Sequence, residues 1–371
     1  MRMPAGFRKR ANGFENRFTV DNVRYSVYGS TIRECQEKEI EKRKELAAGL
    51  YHSNDTITLN QYYDEWIAQK KLQVKPSTIF SYQTVFKNHI LPALGRYRVK
   101  NIERRHVIAL INGMAARNLV GQANYVKRLI VQILKAAVAD EIILRNVAAN
   151  LPPLKTKKAP ARETIHRELN DRELKAFFKA VKNSRYYNAF RFMLYTGVRV
   201  GECAALQWLD IDREKGVIHI RRTATRGLDG KTILGQDTKT RRSKRNIPMN
   251  ESIRQIIDEQ WALYCDTHSS IRINDFVFPN ERGELSEPGT YGVIIQHTLK
   301  KLKELHIFID PFSVHAFRDT FASRAARAGI APNTLKEILG HVSLAMTMDL
   351  YAHINELDKK EGMEKLQAID L

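Results

Sequence analysis

Apolar and polar residues alternate over positions 7–29, the spacing of two that is typical of β-strands with one buried face. The segments FENRFTV and VRYSVYG show this spacing, and a turn is predicted between them at Asp21-Asn22. Asn12-Gly13 is a strong turn signal before the second strand. From Thr31 to Gly49 the spacing becomes helical and the segment is highly charged. Residues 1–50 are therefore predicted to form a three-stranded sheet with one helix.

Positions 56–150 follow the helical spacing almost throughout. TLNQYYDEWIAQK places Leu59, Tyr62, Tyr63 and Trp66 on one face of a helix. In KPSTIFSYQTVFKNHILPALG, the Pro-Ser-Thr sequence marks a helix start, and the proline and glycine near its end mark a stop. Four or five helices are predicted to form a helical domain here.

Residues 151–165 are rich in proline and basic residues and are predicted to be a basic linker. Residues 166–371 are predicted to form a mixed α/β domain that ends in a tail helix, NELDKKEGMEKLQAI. Its first helix is expected to begin at Asn170 or Asp171 and to turn Leu174, Phe177 and Phe178 toward a core. The predicted fold class is a multidomain α+β protein, mainly α with small β-sheets.

The net charge of the chain adds information about its binding partner. The chain has 61 Lys and Arg residues against 41 Asp and Glu, a net charge of +20. An excess of this size attracts polyanions, of which nucleic acid is the commonest. A ribosomal protein or a merely soluble basic protein is the alternative.

Basic residues decorate both N-terminal modules. A basic β-ribbon fits the major groove of DNA, although a small oligomerisation module is the alternative reading of residues 1–50. Basic helices suit a DNA-clamping domain, although charged helix faces are usually only solvated. The candidate DNA contacts in residues 1–150 are Arg8, Lys9, Arg10, Arg17, Arg24, Lys71, Lys75, Ser77, Thr78 and Lys127.

Other classes of function are disfavoured. The three cysteines are far apart and form no CxxC pair, which argues against a zinc ribbon and against a disulfide framework. No secretory signal, membrane-spanning run or nucleotide-binding glycine motif is visible. The expectation is a protein of the reducing bacterial cytoplasm, associated with the nucleoid, that needs no metal and no cofactor.

Candidate chemistry is concentrated after residue 190. In FRFMLYTGVRVGECAALQW, one helix is predicted to break at Thr196-Gly197 and a second to start near Arg199. Free N–H groups at that start would favour an anion. Glu202, three residues later, can hold the Arg199 guanidinium in place. Taken alone, a surface ion pair is the simpler reading.

A long basic hairpin is predicted to follow the strand GVIHIRR. Residues 221–245 contain nine Lys or Arg and two Asp, a local net charge of +7. A hairpin tip this basic is expected to contact phosphates rather than to pack on protein. The candidates in it are Lys239, Arg241, Arg242 and Lys244.

Three further signals come near the C-terminus. His315 and Arg318 are spaced i, i+3 on one helical face. LGH supplies His341, and Tyr351 follows it by ten residues. Each signal is weak alone, and most tyrosines on helices only pack.

Together and in this order, the motifs resemble the tyrosine recombinase, or phage-type integrase, family. The matching segments are TGVRVGE (196–202), TKT (238–240), HAFR (315–318), LGH (339–341) and the tyrosine after it. The resemblance covers residues from about 56 to 353. The N-terminal module resembles, more loosely, the arm-binding domain of conjugative-transposon and phage integrases. Asp319 departs from the pattern, because many relatives carry a second histidine there.

The resemblance implies a role for each matching residue. Arg199 and Arg318 would bind the scissile phosphate, with His315 and His341 as its further ligands. Lys239 would be the general acid, although Lys231 and Lys244 are alternatives in the same hairpin. Glu202 would be the supporting acidic residue, and Tyr351 the nucleophile that forms a 3′-phosphotyrosine.

The resemblance also implies partners and a biological role. The expected activity is integration and excision of a mobile element such as a conjugative transposon or prophage. The expected partners are double-stranded DNA at core and arm sites, three further copies in a homotetramer, and an excisionase or a DNA-bending host protein, with no membrane. Within the tail helix, docking on a neighbouring subunit and packing in cis both stay open.

Three rival functions remain. A metal-dependent transposase or nuclease would need clustered carboxylates, for which Asp210, Asp212 and Glu202 are the candidates. A type IB topoisomerase shares the tyrosine constellation but relaxes DNA without exchanging partners. A non-catalytic DNA-binding regulator would have a decayed site, yet every catalytic position is filled.

Overall fold

A computed structural model describes residues 6–20, 23–47, 56–154, 167–235, 244–270, 272–341 and 343–352. The chain divides into two compact units, residues 1–158 and 159–371. No helix in the described part of the chain is both long and apolar enough to cross a bilayer.

The first unit begins with the predicted three-stranded sheet. Its strands are antiparallel in the order β1-β2-β3, and the helix α1 packs on one face through the buried Cys35 and the ring of Phe18. The predicted Asp21-Asn22 turn lies outside the described residues. The elements are β1 (Phe7–Arg10), β2 (Gly13–Val20), β3 (Val23–Gly29) and α1 (Ile32–Ala47).

The helical part of this unit has a core of its own, in which Tyr63 and Phe86 stack at 3.5 Å between ring centroids. The predicted stop at Pro92 and Gly95 is confirmed at Gly95, because the helix that starts at Pro76 runs past Pro92 and ends at Leu94, directly before Gly95. A π-helical turn at Phe86–Ile90 lies directly before Pro92 and opens the helix where proline lacks an N–H. The helices are α2 (Leu59–Lys70), α3 (Pro76–Val85), α4 (Leu91–Leu94), α5 (Arg104–Ala116) and α6 (Val120–Ala139).

The second unit surrounds its small sheets with helices. Asn170 caps the first helix by accepting a hydrogen bond from the Glu173 N–H at 2.9 Å. Leu174 and Phe177 are buried, as predicted. The helices are α7 (Asp171–Ala180), α8 (Tyr187–Thr196), α9 (Val200–Ala204), α10 (Glu251–Thr267), α11 (Pro288–Glu304), α12 (His315–Arg327), α13 (Pro332–Leu339) and α14 (Ala345–Ala352).

The predicted long hairpin is two nested hairpins. The outer strands β5 and β8 pair in antiparallel fashion, with Ile220 opposite Arg245, and β4 extends the same sheet. A separate two-stranded sheet, β6 with β7, lies between them in sequence. The strands are β4 (Ile211–Asp212), β5 (Val217–Ile220), β6 (Thr223–Arg226), β7 (Thr232–Gly235) and β8 (Arg245–Pro248). The mixed α+β class predicted from the sequence is confirmed.

Candidate active site

Arg199 lies at the sharp turn between α8 and α9. α8 ends at Gly197, whose φ of +65° is in the left-handed region that favours glycine. A Cβ on Gly197 would also stand 2.4 Å from the ring of Phe321. The turn therefore depends on glycine, and it leaves Arg199 directly before the first residue of α9.

Glu202 reaches back to this helix start. Its Oε2 accepts the Arg199 backbone N–H at 2.9 Å, and its Oε1 accepts Nη1 of the same residue at 3.0 Å. The expectation that the start of α9 would offer its N–H groups to a bound anion was wrong for this N–H, because a protein carboxylate already accepts it.

Glu202 also binds a second arginine that the sequence reasoning missed. Arg245, the first residue of β8, donates Nη1 to Oε1 at 3.1 Å and Nη2 to Oε2 at 2.8 Å. Burial alone would raise the pKa of the Glu202 carboxyl, but Arg245, and after it Arg199, lower that pKa to about 2. The carboxylate is therefore charged throughout the physiological range.

Arg318 is the most buried cation of the site. It donates Nη1 to the Gly197 carbonyl at 2.7 Å and Nη2 to the Leu339 carbonyl at 2.8 Å. Among the residues that the structure describes, no carboxylate lies within ion-pair distance of it. Burial, and after it repulsion from Arg199, lower the pKa of Arg318 to about 9, so it remains protonated at pH 7. A buried cation without a carboxylate favours an anionic ligand.

Three arginines converge on the C-terminal end of α13. Consecutive carbonyl groups there accept one arginine each: Ile338 accepts Arg245 Nε at 2.6 Å, Leu339 accepts Arg318 Nη2 at 2.8 Å, and Gly340 accepts Arg199 Nη2 at 3.2 Å. Carbonyls at a helix end have no partner within the helix, and they carry the negative end of its dipole. The end of α13 therefore holds three guanidiniums together: that of Arg199 before α9, that of Arg245 on β8 and that of Arg318 on α12.

The two histidines are oriented by neighbours. His341 follows Gly340, and its Nδ1 lies 2.9 Å from the hydroxyl of the buried Thr347. The exposed His315 has its Nε2 3.6 Å from an oxygen of Asp319, one helical turn later. The sequence reasoning named Asp319 only as a departure from the family pattern. The carboxylate is instead the neighbour that can orient His315.

Tyr351 lies on α14 and is not directed at the arginines. Its ring is half-buried against the cluster formed by α12 and α13, and its hydroxyl donates to the Ile330 carbonyl. Burial raises the pKa of Tyr351. Arg318 and Arg327 are nine residues apart on α12, about 13 Å at the helical rise, and Ile330 lies beyond Arg327. The Tyr351 hydroxyl therefore binds beyond the C-terminal end of α12, whereas Arg318 lies near the N-terminal end of that helix.

Comparison with known proteins shows the family of the chain. The model of the phage integrase family matches residues 167–357, more than half of the chain. The chain belongs to the phage integrase family. A second model, phage integrase N-terminal SAM-like domain, matches residues 58–115 of this integrase.

Related sequences support the same assignment. A tyrosine recombinase XerC-like protein of Caldanaerobacter subterraneus is 25% identical over 370 residues, which cover 93% of this chain and 91% of that protein. The transposase of transposon Tn916 from Enterococcus faecalis is 25% identical over 359 residues, 91% of this chain and 87% of that protein. The integrase is therefore a tyrosine recombinase in its enzyme class.

Solved structures share the fold. The Tn1549 transposon integrase in complex with a circular intermediate DNA has a TM-score of 0.69 and 23% identity, and the match covers 84% of this chain and 100% of that chain. A lambda integrase tetramer bound to a Holliday junction has a TM-score of 0.61 and 19% identity, with coverage of 92% and 96%.

Three arginines of the basic hairpin form ion pairs with carboxylates of the integrase itself. Arg222 pairs with the buried Asp210, and Arg226 pairs with Glu287 at 3.1 Å. Arg245 is buried with Glu202. These three arginines lie outside the hairpin tip, so the expectation that the tip contacts phosphates stays a prediction. Lys244 is exposed beside β8, whereas Lys239, Arg241 and Arg242 lie outside the described residues.

The N-terminal sheet sorts its basic residues by face. Side chains alternate along each strand, and the register places Arg8 opposite Glu15 and Arg24 opposite Thr19. Arg8, Arg10, Arg17 and Arg24 therefore share the face away from α1. Lys9 pairs with Phe14 and lies on the other face, so it does not belong to the same basic surface.

The remaining candidate DNA contacts are on the helical part. Lys75, Ser77 and Thr78 cluster at the start of α3, and the exposed Lys71 directly follows α2. Lys127 lies on α6 and donates its ammonium to the Leu151 carbonyl at 2.9 Å. That contact holds the first residues of the predicted linker against the helices. In the described residues, no group of three or more His, Cys, Asp or Glu has a metal-binding arrangement.

Proposed function

We propose that the protein cuts and rejoins duplex DNA at specific sites through a covalent 3′-phosphotyrosine intermediate. One observation carries the proposal: two cationic guanidiniums, Arg199 and Arg318, are held at the same helix end, next to His341. A phosphodiester gains negative charge on its non-bridging oxygens during attack, and two guanidiniums can meet that charge.

The remaining steps follow from the chemistry of a phosphodiester. The Tyr351 oxygen bonds to phosphorus and gives up its proton, while the bond from phosphorus to the 5′ oxygen breaks. The departing 5′ oxygen takes a proton, for which the T-K-T resemblance assigns Lys239 as general acid. His315 and His341 would complete the phosphate ligands, and Glu202 would hold Arg199. Attack by a 5′-hydroxyl of another strand reverses the step, so joining needs no ATP.

The position of Tyr351 adds a requirement to this mechanism. Its hydroxyl must leave the Ile330 carbonyl before it can reach a phosphate bound by Arg199 and Arg318. We infer that DNA binding shifts α14 or its tyrosine, because a ligand can favour the displaced state only by contacting it better.

The domain roles follow the same proposal. Residues 1–50 would bind arm sites through the open basic face of the sheet, residues 56–150 would contact the core site, residues 151–165 would be a basic linker, and residues 166–371 would perform the chemistry. Strand exchange joins two duplexes at four active sites, which favours a homotetramer on DNA. The lambda integrase tetramer on a Holliday junction supports this assembly.

The proposed biological role is the movement of a mobile element into and out of a bacterial chromosome. The similarity to the Tn916 transposase over most of both chains supports it. The substrate would then place the enzyme at the nucleoid in the cytoplasm. An excisionase or a DNA-bending host protein would set the direction of the reaction.

A type IB topoisomerase activity is the second candidate, because it would use the same tyrosine and arginines. The basic open face of the N-terminal sheet favours recombination, since relaxation of supercoils needs no second DNA address. Relaxation and strand exchange assays on the same plasmid carrying two element ends distinguish the two.

Replacing Tyr351 by Phe tests the proposed nucleophile. The variant keeps the ring and its packing but loses the attacking oxygen, so it should bind DNA as the wild type does and form no covalent adduct. The measurement is denaturing electrophoresis after incubation with a nicked core-site duplex that traps the intermediate. Tyr195→Phe, an exposed tyrosine on α8 of the same unit, is the matched control and should form the adduct normally. An adduct in Tyr351→Phe at the wild-type level would exclude this nucleophile, and cleavage without an adduct that is lost on adding EDTA would favour the metal-dependent rival.

A further inference from the structure

Of the two arginines bound to Glu202, Arg245 is less exposed to solvent than Arg199. Its side chain is 5% exposed, whereas that of Arg199, on the same carboxylate, is 39% exposed. Its location on β8 fixes its backbone, because Arg245 pairs with Ile220 of β5. One arginine of the pair is therefore built into the fold, and the other remains accessible to a ligand.

Arg245 uses all three nitrogens of its guanidinium. The two Nη atoms grip both oxygens of Glu202, and Nε donates to the Ile338 carbonyl at 2.6 Å. A lysine could not make this set of contacts, because its ammonium is a point charge rather than a planar fork. Arg245 thus links the carboxylate that holds Arg199 to the helix end that also holds Arg199.

Arg245 itself has no room for a phosphate. All three of its guanidinium nitrogens are bonded to protein acceptors, and the guanidinium packs against Gly340, where a Cβ would stand 3.1 Å from Nη1. Direct participation in phosphate binding is therefore inconsistent with the geometry. A contribution through Arg199 is consistent with it.

We propose that Arg245 is a positioning residue for strand cleavage, which acts through Glu202 and the Ile338 carbonyl to direct the Arg199 guanidinium at the scissile phosphate. The proposal rests on the proposed function, since it presumes that Arg199 binds this phosphate. It differs from a purely structural role, in which Arg245 would only stabilise the second unit.

The experiment compares Arg245→Met and Arg245→Lys with Arg222→Met. Arg222 is the matched control, because it also pairs with a buried carboxylate, Asp210, but contacts no residue of the candidate active site in the described structure. Single-turnover formation of the covalent adduct is measured on the nicked core-site duplex, at equal folded fractions determined by circular dichroism. Arg245→Met should slow adduct formation by roughly 10²–10³-fold, the usual effect of losing one oriented donor. Arg245→Lys should not recover the rate, and Arg222→Met should cleave at nearly the wild-type rate.

Two further readouts separate positioning from stability. Arg199→Ala combined with Arg245→Met should be no slower than Arg199→Ala alone, because the second change acts only through the missing side chain.

The pH profile should also change in Arg245→Met. Without Arg245, burial raises the pKa of Glu202, so the acidic fall in rate should move to higher pH, and it should not move in Arg222→Met. Multiplying effects in the double variant, or equal losses in Arg222→Met, would overturn the proposal.

A crystal structure of Arg245→Met keeps this test apart from the test of the proposed function. The Arg199 guanidinium should leave the Gly340 carbonyl, whatever reaction the enzyme catalyses. An unmoved Arg199 refutes the positioning role even if cleavage is slow. A displaced Arg199 in a protein whose wild type forms no adduct supports positioning and refutes the proposed function alone.

Discussion

Two buried glutamates, one in each unit, hold two arginines each, and they leave those arginines in different situations. Glu15 of the N-terminal sheet is fully buried and pairs with Arg10 and Arg17, whose side chains are 51% and 42% exposed. Glu202 is equally buried, but one of its arginines is 5% exposed and the other 39%.

The difference shows how one chemical group serves two purposes. On the sheet, both arginines stay at the surface, so the carboxylate fixes the directions of two groups that can contact a partner. In the second unit, one arginine is enclosed and only the other remains accessible. A shared carboxylate therefore orients two exposed donors in the first case and a single accessible donor in the second.

Glu202→Gln should have the largest effect, because it leaves Arg245 buried without a counter-charge. Breaking a buried pair from one side costs about 3–5 kcal/mol, so the free energy of unfolding of this unit should fall by that order. Adduct formation should fall further than unfolding explains, by roughly 10²–10³-fold, since Arg199 loses its support. Denaturant unfolding and the nicked-substrate assay on the same samples measure the two quantities.

Asp210→Asn is the control for Glu202→Gln. It removes another buried carboxylate of the unit and leaves Arg222 unpaired, so unfolding should become easier while cleavage by the folded fraction persists. Equal cleavage rates in the two variants would mean that Glu202 contributes only to the fold.

Glu15→Gln should have a smaller and more local effect. Arg10 and Arg17 would lose their fixed directions, so preference for arm sites over random duplex should fall, roughly tenfold if one bidentate base contact is lost. Cleavage at core sites should be unchanged. Competition binding with arm-site and random duplexes measures the preference. Glu39→Gln removes a carboxylate that contacts the α1 face of the same sheet through Asn16, and it should keep the preference. A similar loss in both variants would trace the effect to sheet stability.

Salt should produce the smallest difference between the two glutamates. Hydrogen bonding by Arg17, and then by Arg10, lowers the pKa of Glu15 to about 2, and the pKa of Glu202 is lowered to the same region. Because both folded pKa values lie below the ordinary value near 4.5, each pairing stabilises the fold above that pH and is lost as the pH falls toward 2.

Raising the salt from about 0.01 to 1 M should move the pKa of Glu15 upward and that of Glu202 much less, since exposed partners are screened more. NMR titration of the side-chain carboxyl carbons distinguishes them, and an equal shift would contradict the difference in burial.

The sequence predicted those parts of the site that are local or belong to a known motif order. Arg199 with Glu202 was predictable because residues three apart on a helix are neighbours. Arg245 was not, because its partner is 43 residues away in the chain and only the tertiary fold brings them together. The acceptor roles of the Ile338 and Leu339 main-chain carbonyls were not predictable either, because every residue has a carbonyl and residue type does not show which one binds an arginine.

The fold shows the same division. The three-stranded sheet followed from its alternation, yet that alternation also separates Lys9 from Arg8 and Arg10, a distinction available from the sequence and not drawn from it. The continuation through Pro92 was not predictable in the same way, because a π-helical turn depends on how the helix packs against its neighbours.

The three carbonyls at the end of α13 make this region sensitive to chain length more than to side-chain identity. No point substitution deletes a carbonyl, so many side chains at positions 338 and 339 leave these three acceptors available. An inserted or deleted residue within α13 would instead rotate all three acceptors by about 100° around the helix axis. Arg199, Arg245 and Arg318 would then lose their partners in a single event. Variation among functional homologues should therefore consist of substitutions in this helix and leave its length unchanged.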